Sequence, residues 1–105
     1  MTIKDLEKLL LAVAGAEESH RLDRPREDEE FIYGRVETAT FEAVYGVRTK
    51  ITRPGFEVDL FIDGRAASVE FPETVTLAEA ERCIQAMVGT FMAAHAAGNG
   101  EALDD

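Results

Sequence analysis

The segment from Phe56 to Phe71 limits the fold more than any other part of this chain. At its middle stands Asp63-Gly64, a favoured two-residue hairpin turn because both residues tolerate positive φ. A turn there sets Phe56 opposite Phe71, Val58 opposite Val69 and Leu60 opposite Ala67 on one face. Glu57, Asp59, Phe61, Ala66, Ser68 and Glu70 fall on the other. The hairpin therefore has an apolar inside and a polar outside, against which other segments can be judged.

A second turn is expected upstream, where Arg53-Pro54-Gly55-Phe56 offers Pro at i+1 and Gly at i+2. If it is tight, Ile51 meets Val58, Thr49 meets Leu60 and Val47 meets Ile62, on the same apolar face. On the polar face this register sets Lys50 beside Asp59, Arg48 over Phe61 in a cation–π contact, and Glu57 between Thr52 and Glu70. Further back, Ile32-Tyr33-Gly34 and Val44-Tyr45-Gly46 are similar triplets that suit adjacent strands, with glycines where a bulge or close packing needs them. Residues 36–44 lack a clear turn signal, so the pattern predicts three or four strands.

A helix is expected at each end. Thr2 is a candidate N-cap with Asp5 at N3, and Ile3, Leu6, Leu9, Leu10 and Val13 recur at helical spacing towards residue 19. Gly15 either ends that helix early or lies in a last turn with Glu17, Glu18 and His20. Thr76 and Glu79 form a capping-box pattern before a helix over 77–97, with Ala80, Ile84, Met87, Val88 and Phe91 as its buried stripe and Gly98 as its end. Cys83 reads as part of that stripe. The expected architecture is α+β in two layers: an antiparallel meander with both helices packed on one face. Residues 1–97 form a single domain, and 98–105 read as a flexible acidic tail.

Composition sets limits on function. The 105 residues carry 21 acidic and 11 basic side chains, a formal net charge of −10. Direct nucleic-acid binding is disfavoured, since phosphate needs a basic footprint; a basic partner protein is favoured. A lone cysteine forms no internal disulfide and suggests a reducing, cytoplasmic setting. Leu9-Leu10-Leu11-Ala12-Val13-Ala14-Gly15-Ala16 has the look of a signal-peptide core, but Asp5 and Glu7 spoil the basic segment that should precede it. No run is long enough to span a bilayer, so no membrane partner is expected.

No cofactor, metal or catalytic constellation is expected. His20 and His95 share no ligand spacing with each other or with Cys83, and no phosphate loop or nucleophile elbow is present. Glu57 and Glu70 are paired carboxylates, but they lie on the solvent face without a nucleophile or oxyanion donor. The candidate protein-binding residues are the acid run Glu27, Asp28, Glu29 and Glu30, preceded by Arg21, Arg24 and Arg26, together with Glu57, Asp59, Phe61 and Glu70. These lead to a non-enzymatic, acidic interaction module. Its sharper form is a small phage-type inhibitor, anti-CRISPR or anti-restriction-like in size and charge, that covers a basic nucleic-acid-binding surface. The alternatives are a homodimeric assembly protein with an edge strand near Ala66–Phe71, and a small-molecule binder lined by Tyr33, Tyr45, Met87 and Phe91.

Overall fold

A computed structural model describes residues 1–22, 31–49, 54–62 and 64–104, with 97–104 as backbone only. Thr2 opens helix α1 (Ile3–Ala14) with a capping box: its hydroxyl accepts from the Asp5 N–H at 3.2 Å, and Asp5 Oδ2 accepts from the Thr2 N–H at 2.9 Å. Leu6, Leu10 and Ala14 are buried. Gly15 then takes φ 73°, ψ 42°, the left-handed C-cap that glycine adopts most cheaply. The helix thus stops at Ala14 rather than near residue 19. Glu17, Glu18 and His20 lie instead on strand β1 (Ala16–Arg21).

Four more strands follow: β2 (Phe31–Thr38), β3 (Glu42–Thr49), β4 (Phe56–Ile62) and β5 (Arg65–Phe71). They form one antiparallel meander in the order β1-β2-β3-β4-β5, five strands where three or four are expected. The extra strand is β1, which joins the sheet through a register irregularity between Ala16 and Glu18. Thr38 makes the β2–β3 turn without glycine or proline. Its hydroxyl accepts from the Thr40 and Phe41 N–H groups, and its own N–H donates to the Phe41 carbonyl.

The β4–β5 hairpin has the expected register, with Phe56 opposite Phe71, Val58 opposite Val69 and Leu60 opposite Ala67. The β3–β4 register differs: Val47 pairs with Val58 rather than Ile62, and Thr49 with Phe56 rather than Leu60. β3 ends at Thr49, so the connection is longer than a tight turn at Pro54-Gly55. Ile51, Thr52 and Lys50, which that turn would have paired, lie outside the described residues. The displacement is an even number of residues, so the side chains of β3 and β4 keep their expected faces.

Thr76 caps α2 (Leu77–Asp104), its hydroxyl accepting from the Glu79 N–H at 3.2 Å. The helix continues through Gly98 to Asp104, past the expected end. Ala80, Ile84, Met87, Val88 and Phe91 are buried as the periodicity requires. Cys83 is exposed, which corrects its assignment to that stripe. It sits about 85° round the helix from the stripe's centre, where the surface turns to solvent. Both helices cover one face of the sheet, enclosing Leu6, Leu10, Ile32, Tyr45, Val58 and Ile84. The fold is α+β in two layers, and no helix among the described residues covers the second sheet face, which is called the open face below. No helix among the described residues is long and apolar enough to cross a membrane.

Candidate functional site

The open face gathers four of the eight predicted binding residues. Side chains alternate along a strand, so Glu57, Asp59 and Phe61 of β4 project together, and the register sets Glu70 of β5 directly opposite Glu57. The other four, Glu27, Asp28, Glu29 and Glu30, lie outside the described residues. Like charges facing each other across a strand pair repel. Arg48 relieves part of this: it lies opposite Glu57, its Nε donating to Glu57 Oε2 at 2.8 Å and its Nη2 2.6 Å from the same oxygen. The expected stacking of Arg48 on Phe61 is therefore replaced by an ion pair, because the observed register sets Val44 opposite Phe61.

Asp59 lies opposite Gly46, where the absence of a side chain leaves room beside the strand. Burial and the neighbouring Glu57 charge push the Asp59 carboxyl above the ordinary aspartate value, and Glu70 adds to the effect while Arg48 opposes it. The aromatic contribution is larger than the sequence suggested. Phe61 is 41% exposed, and the Phe31 and Tyr33 rings stack at 6.1 Å on the same face. At the far end of this face a hollow of about 420 Å³ is bounded by Arg35, Phe41, Glu42, Phe61 and His95. An exposed ion pair of 3.3 Å joins Arg35 to Glu42 beside it.

A second cluster lies beneath the sheet. Glu7 on α1 is the buried charged residue among the described residues, 7% exposed. Tyr45 of β3 donates its hydroxyl to Glu7 Oε2 at 2.7 Å, and Arg21 of β1 donates from Nε at 3.2 Å and Nη2 at 2.8 Å to the two carboxylate oxygens. Burial opposes the charged form of Glu7. The bonds from Arg21 and Tyr45, with the arginine's charge, outweigh it and hold the carboxyl below the ordinary glutamate value. Burial and the adjacent Glu7 push the Tyr45 phenol upward. Gly34 makes the cluster possible: a Cβ there would lie 2.5 Å from the Tyr45 hydroxyl oxygen and 2.8 Å from the His20 carbonyl. The two similar triplets thus pair reciprocally, Tyr33 opposite Gly46 and Gly34 opposite Tyr45.

Glu7 was legible as an anomaly, since it occupies an apolar position of the stripe Ile3, Glu7, Leu10, Ala14. Arg21 and Tyr45 gave no comparable signal. The cluster ties α1 to two strands and is closed to solvent on the Tyr45 side, so it has the character of a brace. The proposed ligand pocket is not assembled: Tyr33 faces outward, whereas Tyr45, Met87 and Phe91 belong to the core. His20 on β1 and His95 on α2 do not converge, and no group of His, Cys, Asp and Glu among the described residues is placed to hold a metal. Compared with known proteins, the chain matches no family model, no curated protein and no solved structure.

Proposed function

We propose that this chain is a non-enzymatic protein-interaction module that docks its open sheet face on a basic surface of a partner protein. The observation that carries the reading is the row of Glu57, Asp59 and exposed Phe61 along one face of β4, with Glu70 of β5 opposite Glu57. Arg48 answers Glu57 directly, and the Asp59 carboxyl remains disfavoured as an anion. An incoming lysine or arginine would relieve that site, while Phe61 and the Phe31–Tyr33 pair supply apolar contact area. Charge complementarity of this kind speeds encounter and selects partners more than it sets final affinity.

The sharper form is an inhibitor of the phage type, anti-CRISPR or anti-restriction-like, that occupies a surface built for nucleic acid. A net charge of −10 supports it, because such surfaces are lined with lysine and arginine. The lone cysteine favours a cytoplasmic place of action. The test is affinity capture with the tagged chain, washed at low and then high salt, beside an Asp59→Asn/Glu70→Gln double variant. A basic nucleic-acid-handling protein should be captured, released by salt, and lost with the double variant. A complex indifferent to both salt and the double variant would refute the reading. Recovery of the bait alone, with sedimentation as a dimer, would favour the homodimer instead.

A further inference from the structure

The two edges of the sheet are treated very differently. β1 carries Glu17, Glu18, His20 and Arg21 and is bent by an irregularity, the usual protections against adding another strand. β5 is less protected: it runs in unbroken register from Arg65 to Phe71 with no proline or lysine. Its charges are confined to Arg65 and Glu70 towards its ends, and between them it presents Ala66, Ala67 and Ser68 to its surroundings. Its outer side is paired to no strand among the described residues.

The ladder fixes which backbone groups point outward. The Leu22 N–H donates to the Tyr33 carbonyl, so Tyr33 faces β1 and the alternate residues of β2 face β3. Carried across the paired registers, this alternation leaves the N–H and C=O of Ala66 and Ser68 aimed away from β4. Beside them runs a groove of about 660 Å³ between β5 and α2, walled by Ala67, Val69, Met87, Thr90, Phe91 and Ala94. Arg65 closes one end, donating to the Ala94 carbonyl.

We infer that β5 accepts an extended segment of the partner protein as a sixth strand, with alternating apolar and basic side chains. This rests on the proposed role of the acidic face. Residues of the added strand on the helix side would enter the apolar groove. Those on the other side would lie next to Ala66, Ser68 and Glu70, about 10 Å from the β4 row holding Glu57 and Asp59, within reach of lysine or arginine. Charge selects this occupant over a second copy, because a chain of net charge −10 would bring its own acids to the same face.

The probe is a blocked octapeptide of alternating lysine and valine, compared with its isomer of four lysines followed by four valines. Amide exchange at Ala66 and Ser68 should slow about tenfold or more with the alternating peptide and stay unchanged with the block isomer. Ala66→Pro removes one outward donor, and Thr90→Lys places a cation on the exposed groove wall; each should weaken binding about tenfold. Equal binding of the two isomers would overturn the inference. So would protection of Ala66 and Ser68 that rises with protein concentration in the absence of peptide, because a second copy then takes the edge. Lysine-peptide binding that is lost in Asp59→Asn/Glu70→Gln but leaves the Ala66 and Ser68 amides unprotected would overturn strand addition and keep the acidic-face reading. An alternating threonine–valine peptide that binds equally well would overturn the basic half of the inference, and that reading with it.

Discussion

Glu7 is held by three hydrogen bonds from two side chains, Arg21 and Tyr45, and its behaviour with pH follows from them. Its folded value lies below the unfolded one, so its contribution is complete above the unfolded value of about 4.5 and is lost as pH falls through the folded value. Glu7→Gln should therefore cost about 1–3 kcal/mol at neutral pH. The gap from wild type should close on acidification, as read from urea midpoints between pH 7 and pH 3. A constant gap would mean that the charge of Glu7 is immaterial. Asp59 has the opposite sign. Its value is raised, so its carboxylate detracts from stability once pH rises through the folded value, and Asp59→Asn should stabilise the neutral protein by about 0.5–1 kcal/mol. The glycines separate as clearly. Gly34→Ala meets Tyr45 and the backbone of His20 and should cost about 2–3 kcal/mol, whereas Gly46→Ala meets nothing closer than 3.7 Å and should stay within about 0.5 kcal/mol.

At the scale of elements, legibility tracks how locally each element is specified. The β4–β5 hairpin was readable to the residue because a two-residue turn fixes register by itself. The β3–β4 pairing was readable only to the face, because a longer connection leaves register to the packing of Val47 and Tyr45 against Val58 and Leu60. β1 was illegible: Ala-Glu-Glu-Ser-His-Arg has no apolar alternation, and it is anchored by Arg21 reaching Glu7 across the fold. Of the acidic face, the β4–β5 half was legible for the same reason as the hairpin. The Arg48–Glu57 pair was not, since it depends on the register that the turn failed to fix. α2 is legible from its stripe, but the edge of that stripe is not, since Cys83 on its flank is exposed. The exposed thiol should accordingly react fully with a disulfide reagent in the native protein, with no loss of helical signal. Reaction only after denaturant is added would restore Cys83 to the core.

For the whole molecule, one charge distribution should give two salt dependences of opposite sign. Twenty-one acids against eleven bases make the folded chain repel itself, and part of that repulsion is concentrated where Glu57 faces Glu70 beside Asp59. Screening shortens from about 30 Å at 0.01 M salt to about 10 Å at 0.1 M. Raising NaCl across that range should therefore raise the melting temperature, by about 4–8 °C for each kcal/mol of repulsion removed. The same screening should weaken docking on a basic partner, because there the acids attract. Asp59→Asn/Glu70→Gln should diminish both slopes together, which a general solubility role for the charge would not require. Melting curves in a salt series for both proteins provide the check. A melting temperature that is flat in salt, or that falls, would mean the acids are already balanced within the fold. The open face would then have no unsatisfied charge to offer a partner.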